Sequence, residues 1–247
     1  MSKALEGLWA TGVEGFNVTV PHKEAVLKMV EADTDTRCIG AVNTVRRGPD
    51  GRQGTNTDWQ GFREVLRGMG IDLSGATVFV FGAGGTARAV LHALAQEAVA
   101  KVNVCNRGSD RLHALIRHAS RVYPQLPVGA VPWDQEAVNE ASGEAMLVVN
   151  TTSIGLGGDS GPFPFKLSGR GAAIDAVYAL NGATAFVRCA GQTGRKAIDG
   201  LPMLLAQGAA SFQYWHRILP PRMDTLRWLE ARLGRTPVDL PAWGVAI

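Results

Sequence analysis

The sequence is poor in the residues that build metal centres and disulfide frameworks. It contains only three cysteines and five histidines among 247 residues, and neither type recurs at the spacing of metal ligands. Cys38, Cys105 and Cys189 are odd in number and scattered, which is typical of reduced thiols in a cytosolic protein. We therefore expect no metal site and a cytoplasmic location.

Long apolar runs and a strong charge bias are also missing. No apolar segment approaches the length that spans a bilayer, and the first residues carry Lys3 and Glu6 without the apolar core of a signal peptide. The formal net charge of +3 is too small to indicate a nucleic acid or a membrane surface as partner. With 46% hydrophobic and 19% charged residues, the composition is ordinary for a soluble globular protein.

A glycine-rich turn between a predicted strand and a predicted helix organises the chain. Thr77–Phe81 is β-branched and aromatic, which is typical of a buried strand, and an Ala-rich helical run follows the glycines. Such a turn presents free backbone N–H groups and the positive end of a helix dipole to a phosphate. Gly82, Gly84 and Ala87 fit the G-x-G-x-x-A form of the dinucleotide fingerprint, which favours nucleotide binding over a plain glycine turn.

The end of the second predicted strand indicates which dinucleotide is bound. NAD enzymes usually carry an acidic residue there that accepts a hydrogen bond from the ribose 2′-hydroxyl. This chain has Asn106, Arg107 and Arg111 instead. Two guanidinium groups match phosphate oxygens, so the loop favours NADP over NAD. The alternative is a solvated basic loop, partly neutralised by Asp110.

Alternating strand and helix patterns predict an α/β fold. The alternation within 74–200 predicts a Rossmann-type parallel sheet covered on both faces, and the pattern breaks at 71–75. Helical periodicity dominates after Gly200. We therefore expect one α/β domain over 1–73, a dinucleotide-binding domain over 74–200, and C-terminal helices over 201–247.

The elements expected before this break follow from periodicity and from turn-forming residues. The pattern predicts strands over Gly15–Val20 and Ala41–Arg46, and a helix over 22–32. It also predicts a polar break at Asp33–Thr36 and an amphipathic helix that begins at Asp58 and is closed by Gly70.

Four polar stretches are hard to explain by packing alone. They lie at predicted strand ends or helix starts, at 17–23, 40–44, 54–58 and 150–153. Polar residues at the carboxyl ends of parallel strands face the ligand crevice of an open α/β sheet. Taken singly, each stretch also fits a plain structural role: an edge strand followed by a surface lysine, a helix N-cap at Asp58, or an ordinary turn.

Taken together, the motifs resemble those of the shikimate dehydrogenase family. They occur in the family's order between Glu14 and Trp215 and are NVTVPHK (17–23), GAVNT (40–44), NTDWQGF (56–62), GAGGTARA (82–89), Asn106-Arg107, NTTSIG (150–155), DAVY (175–178) and GLPMLLAQGAASFQYW (200–215). The resemblance implies NADPH-dependent reduction of 3-dehydroshikimate to shikimate, in the biosynthesis of chorismate and aromatic amino acids. It also implies a cleft between an N-terminal α/β substrate domain and a Rossmann domain, with the C-terminal helices returning to the substrate domain.

The resemblance further implies roles for individual side chains. Lys23 would be the catalytic amine and Asp58 its partner. Substrate hydroxyls and carboxylate would be bound by Asp58 together with Thr19, Asn43, Tyr178 and Gln207. The cofactor would be bound by Gly82, Ala83, Gly84, Gly85 and Thr86 at the pyrophosphate, by Asn106, Arg107 and Arg111 at the adenosine phosphate, and by Ala176 and Gly200 beside the nicotinamide.

These residue types suit the implied reaction. A hydride delivered to a ketone leaves charge on the oxygen, so a proton donor must lie within hydrogen-bond reach. A carboxylate beside Lys23 favours the charged amine, which can donate that proton. In the oxidative direction the neutral amine would be the base, so oxidation is expected to gain rate at high pH.

Two features depart from the family pattern. Gly108 stands where the family usually has a threonine, and Ser109 is the nearest substitute. The family's first strand and its Ser-x-Ser loop, which holds the substrate carboxylate, have no counterpart before Glu14.

Three hypotheses therefore stay open: an NADP-dependent shikimate dehydrogenase whose missing segment is an artefact, a shortened NADP-binding paralogue without efficient catalysis, and a quinate/shikimate dehydrogenase that uses NAD. We expect a monomer or a homodimer in each case.

Overall fold

Two separate β-sheets organise the structure, a computed structural model that describes residues 2–49, 51–157 and 161–243. The sequence also predicts a turn at Pro49-Asp50-Gly51 and a loop over 155–164, and each includes residues outside these ranges. No helix in the described ranges is long and apolar enough to cross a membrane.

The first sheet has four described strands in the order β1-β3-β4-β2. β3 and β4 form an antiparallel hairpin, β1 pairs antiparallel with β3, and β2 pairs parallel with β4. The strands are β1 (Gly15–Asn17), β2 (Glu31–Ala32), β3 (Thr44–Gly48) and β4 (Gly51–Thr55), and the nearby helices are α1 (Ser2–Ala10), α2 (Lys23–Leu27) and α3 (Thr34–Ile39).

The strand predicted over Gly15–Val20 ends at Asn17, because the chain turns there. The His22 N–H donates to the Thr19 carbonyl at 3.0 Å, which closes a turn before α2. The strand predicted over Ala41–Arg46 likewise starts only at Thr44, since the Val42 N–H bonds the Lys23 carbonyl instead of a strand partner.

The helix predicted over 22–32 is wrong beyond Leu27, and the polar break is the start of a helix. Glu31–Ala32 pairs with β4, so the tertiary partner overrides local helical preference. The Asp33 carboxylate accepts the Thr36 N–H at 2.7 Å and caps α3. The polar residues that suggested a break are therefore an N-cap.

The second sheet is wholly parallel and confirms the Rossmann prediction. Its described strands run β10-β9-β8-β5-β6-β7, the 3-2-1-4-5-6 order of dinucleotide-binding folds. The strands are β5 (Thr77–Phe81), β6 (Lys101–Cys105), β7 (Val128–Val131), β8 (Leu147–Asn150), β9 (Ala172–Asp175) and β10 (Lys196–Ile198); the helices are α5 (Gly85–Ala95), α6 (Ser109–Val122), α7 (Gln135–Glu144) and α8 (Ala185–Gly191). The sequence pattern missed α8 and β10, which are short.

Three further helices join the two sheets: α4 (Asp58–Met69), α9 (Leu201–His216) and α10 (Arg222–Arg232). As predicted, Gly70 closes α4, in the left-handed region with φ +67°. One apolar cluster runs from α4 across a face of the parallel sheet to α9 and α10, and includes Phe62, Val80 and Leu201. A second cluster, rich in phenylalanine, covers the opposite face of the same sheet.

The crossing of α4 and α9 depends on a glycine. A Cβ atom at Gly61 would lie 2.9 Å from both the Cβ and the backbone nitrogen of Gln207, and 3.0 Å from the Met203 carbonyl oxygen. Only a residue without a side chain allows this approach. The crossing places Gln207 beside the first turn of α4.

Replacing Gly61 with alanine should therefore push α9 away from α4 and lower the free energy of unfolding by about 1–3 kcal/mol. Urea denaturation followed by circular dichroism measures the change. Gly208→Ala is the matched control on α9: nothing lies within 4 Å of its added Cβ, and we expect a gain of up to about 1 kcal/mol. Equal stability of the two variants would contradict this account of the crossing.

Candidate active site

Lys23 and Asp58 form a short, largely shielded ion pair. The Lys23 Nζ lies 2.6 Å from the Asp58 Oδ2, and the two side chains are 12% and 8% exposed. Lys23 is the first residue of α2 and Asp58 the first of α4. The two helix starts thus bring together the predicted catalytic pair from positions far apart in the chain.

Asn43 orients the carboxylate of this pair. Its Nδ2 donates to the Asp58 Oδ1 at 2.8 Å and lies 3.3 Å from the Gln207 Oε1. Its Oδ1 accepts from the Thr57 N–H at 2.8 Å and from the Thr44 hydroxyl at 2.9 Å. The side chain of Asn43 is therefore fixed in one orientation, with its amide nitrogen toward the carboxylate.

The alternative role of Asp58 as a plain N-cap is wrong. Thr57 occupies the cap position of α4 in a helical conformation, without a side-chain cap bond. The Asn56 side chain instead accepts the Asp58 N–H at 3.0 Å and donates to the Ala41 carbonyl at 2.8 Å. The Asp58 carboxylate is thereby left to Lys23 and Asn43.

Two polar residues extend this network and were not among the predicted site residues. Ser211 is fully buried on α9, one turn after Gln207, and its hydroxyl lies 2.8 Å from that of Thr44 and 3.0 Å from that of Thr57. The Asn17 Nδ2 donates to the same Ser211 hydroxyl at 3.1 Å. Helical spacing from Gln207 could have identified Ser211, and Asn17 lies within the first quoted motif.

Two predicted substrate residues stay outside the network. Thr19 is exposed in the turn before α2, and Tyr178 is half-buried after β9 against the main apolar cluster. Among the described residues, neither hydroxyl has a hydrogen-bond partner within the protein.

The glycine loop has the shape of a phosphate cradle. Gly82 has φ +106°, and a Cβ there would collide with the Thr151 hydroxyl. Gly84 precedes the first turn of α5, with nothing within 4 Å of an added Cβ. The predicted positions Ala83, Gly85 and Thr86 complete the loop and the helix start. The open N-terminus of α5 therefore fits a dinucleotide pyrophosphate.

The glycine loop also lies close to the predicted catalytic pair. A Cβ at Gly85 would lie 3.3 Å from the Lys23 Cβ and 3.5 Å from that of Ala41. A group held by this loop would therefore sit beside the Lys23 side chain.

The basic loop after β6 lies next to the glycine turn, because the Gly82 N–H donates to the Cys105 carbonyl at 2.8 Å. The Asn106 side chain caps the Gly108 carbonyl at 2.8 Å. Arg107 and Arg111 are exposed and form no ion pair within the described part of the chain. Both guanidinium groups are therefore free for a phosphate.

Ala176, directly after β9, meets Gly200, the residue before α9. A Cβ at Gly200 would lie 2.5 Å from the Ala176 carbonyl oxygen, and the Gly200 N–H donates to the Val177 carbonyl at 2.9 Å. The two predicted nicotinamide neighbours are thus in direct contact with each other.

A buried aspartate fixes the loops next to that contact. The Asp175 carboxylate accepts from the Asn150 Nδ2 at 2.8 Å, the Val177 N–H at 3.0 Å and the Thr184 hydroxyl at 2.6 Å. Burial raises the pKa of Asp175 to about 6, despite these three donors. The side chain ties the ends of β8 and β9 to the start of α8.

A glycine-rich loop on a Rossmann sheet, with a shielded lysine–aspartate ion pair beside it, is the arrangement of a dinucleotide-dependent oxidoreductase. The comparisons with known proteins give the family. Residues 1–45 match the family described as shikimate dehydrogenase substrate binding domain, and residues 64–131 match shikimate / quinate 5-dehydrogenase. A relative from Geobacter metallireducens, named shikimate dehydrogenase (NADP(+)), is 36% identical over 239 residues, which cover 95% of this chain and 83% of the relative. The chain belongs to the shikimate dehydrogenase family, as the motifs indicated.

Solved structures agree in fold. The shikimate dehydrogenase of Aquifex aeolicus is 33% identical with a TM-score of 0.75, and the match covers 96% of this chain and 82% of that one. The shikimate 5-dehydrogenase of Thermus thermophilus, solved in complex with NADP(H) and shikimate, is 37% identical with a TM-score of 0.74, over 89% and 79% of the two chains.

Asp175 should make stability depend on pH. Its pKa in the folded protein lies above the ordinary value, so its contribution to stability is complete at low pH and is lost as pH rises through about 6. Asp175→Asn lacks this loss. Its free energy of unfolding relative to the parent should therefore rise by up to about 3 kcal/mol between pH 4 and pH 7.

Urea titrations at several pH values measure this difference. Asp239→Asn is the control, because Asp239 is three-quarters exposed and its one partner among the described residues is Lys196 at the surface. A flat difference for Asp175→Asn across this range would contradict the burial argument.

Proposed function

We propose that this chain is an NADP-dependent shikimate dehydrogenase that catalyses the reversible reduction of 3-dehydroshikimate to shikimate, in chorismate and aromatic amino-acid biosynthesis. The observation that supports this most strongly is the Lys23–Asp58 pair, with Asn43 and Gln207, close to the glycine loop. Residues 1–73, completed by 201–247, form the substrate domain, and residues 74–200 form the NADP-binding domain. The enzyme is cytoplasmic, and a monomer or a homodimer.

Lys23 is the proton donor in this proposal. Bound NADPH supplies the hydride to the substrate ketone. The Lys23 ammonium then donates its proton to the developing alkoxide, and Asp58 holds the amine in place at 2.6 Å. In the reverse direction the Lys23 amine takes the hydroxyl proton. Because the overall oxidation releases a proton, rising pH favours it.

The surrounding polar groups suit a substrate with several hydroxyls. Asn43 lies beside Gln207, whose Oε1 is 3.3 Å from the Asn43 Nδ2, a long contact that leaves this oxygen available to a ligand. Thr19 and Tyr178 bring hydroxyls without protein partners in the described ranges, and these complete the substrate-binding set. Such a site rejects analogues that lack a hydroxyl, because its polar groups would be left unpaired.

The cofactor residues fit NADP. The open N-terminus of α5 at Gly84–Thr86 takes the pyrophosphate. Arg107 and Arg111, with Asn106, take the adenosine phosphate through charge-assisted hydrogen bonds. Ala176 and Gly200 lie beside the nicotinamide.

Replacing Lys23 with methionine should lower NADP reduction by shikimate about 10²–10⁴-fold, because the general acid–base group is lost. The assay is absorbance at alkaline pH, with NADP binding measured separately by fluorescence. Lys28→Met, at the exposed end of α2, is the control and should keep the parent rate. A parent chain that binds NADP but has no turnover would contradict the proposal and favour a non-catalytic NADP-binding protein.

Removing the two guanidinium groups should weaken the binding of NADP but not that of NAD. We expect Arg107→Ala with Arg111→Ala to raise the Kd for NADP at least about tenfold, since hydrogen bonds to charged groups contribute about 1.5–3 kcal/mol. The Kd for NAD should change little. Arg117→Ala, exposed later on α6, serves as the control. Equal weakening of NAD and NADP, or tighter binding of NAD by the parent, would contradict the NADP assignment.

A further inference from the structure

We infer that Glu24 and Arg88 form a positioning pair, which holds the Lys23 amine at a fixed place beside the glycine loop. The inference rests on the proposed function and assigns it a further residue pair. The Arg88 Nη2 lies 3.3 Å from the Glu24 Oε2. Glu24 adjoins Lys23 on α2, and Arg88 lies one turn into α5, so the pair joins the helix of the amine to the helix of the glycine loop.

The position of Arg88 on α5 makes it part of the phosphate cradle's frame. Its N–H donates to the Gly84 carbonyl at 3.1 Å and closes the first turn of the helix. Any movement of the glycine loop therefore moves Arg88 with it.

The Arg88 side chain lies among α2, the end of α3 and α6. It is 13% exposed, its Nε is buried without a partner among the described residues, and its Nη1 would lie 3.4 Å from a Cβ at Gly40. His118 of α6 approaches the same glycine and bonds the Cys38 carbonyl at 2.8 Å. The guanidinium thus has little room to move, and it offers Glu24 a fixed charge.

The helix that carries Lys23 has few other constraints. α2 is five residues long, its N-cap residue His22 makes no side-chain cap bond, and Val26 is its one fully buried residue. So short a helix is held by tertiary contacts rather than by its own hydrogen bonds. Glu24 supplies such a contact directly beside the catalytic amine.

The glycine loop and the Lys23 side chain are closely packed. Gly85 faces the Lys23 side chain so closely that an added Cβ would lie only 3.3 Å from the Lys23 Cβ. A misplacement of about 1 Å between reacting groups can cost about 10²-fold in rate. Because Glu24 is 53% exposed, the pair adds little to stability, so its effect should fall on the chemical step.

A double-mutant cycle tests the inference: Glu24→Gln, Arg88→Gln and the double variant. We expect each single variant to lower kcat about tenfold, with the Kd for NADP within about twofold of the parent. The double variant should be no slower than either single one, because the two residues act as one unit. The deuterium isotope effect on kcat, with NADPH labelled at the transferred position, should rise as the chemical step becomes rate-limiting.

Glu97→Gln is the matched control. It breaks the Arg63–Glu97 ion pair of 2.7 Å, which also joins α4 to the end of α5 but lies away from Lys23. This variant should keep the parent kcat and isotope effect. Equal effects of Glu24→Gln and Glu97→Gln would overturn the inference. A tenfold loss of NADP affinity with kcat unchanged would overturn it too, because Arg88 would then contact the cofactor.

A readout that needs no turnover separates this inference from the proposed function. The rate of Lys23 acetylation by acetic anhydride is measured by mass spectrometry, with and without NADP. We expect NADP to protect Lys23 in the parent and in Glu97→Gln, and to protect it several-fold less in Glu24→Gln. If the parent is inactive but shows this pattern of protection, only the proposed function is contradicted. If NADP protects Lys23 equally in all three proteins, the inference of a positioning pair is contradicted.

Discussion

The ion pair between Lys23 and Asp58 is the constraint on which the rest of this structure depends. Two opposite charges that are both nearly shielded from water lose much of their hydration, and their attraction compensates only if the geometry is good and the remaining oxygens are bonded. Here Asn43 supplies that bond to the second carboxylate oxygen at 2.8 Å. Asn43 is held in turn by Thr44 and Thr57, so the ion pair is supported by a network of polar side chains.

That network requires three distant parts of the chain to meet. The starts of α2 and α4 bring the two charges, and α9 brings Gln207 and Ser211 from far along the sequence. α9 can reach them only because Gly61 lets the two helices approach closely. The apolar cluster shared by α4, the parallel sheet and α9 holds this crossing in place. Packing away from the site therefore decides the geometry at the site.

The elements that the sequence predicted well are those with a strong local signal. The parallel sheet was predictable because β-branched runs alternate with helical periodicity, and the strand predicted over Thr77–Phe81 has the same bounds in the structure. The region 19–44 was predicted poorly for a physical reason. Glu31–Ala32 is a strand only because β4 lies beside it, and Asp33 looked like a break because capping residues are polar. Short elements held by tertiary partners leave little trace in local periodicity.

The sequence by itself determined the family, the glycine loop, the absence of an acidic residue after Cys105, and the residue types of the site. These follow from local chemistry, because a tight turn requires glycine and a bound phosphate requires cationic side chains. The motifs that indicate the family are likewise made of residues adjacent in the sequence. Only the tertiary structure decided that Asp58 pairs with Lys23 rather than capping its helix, that Ser211 and Asn17 join the network, and that Gly85 faces the Lys23 side chain. Those facts are distances between residues remote in the chain, and the packing of α2, α4, α5 and α9 sets them.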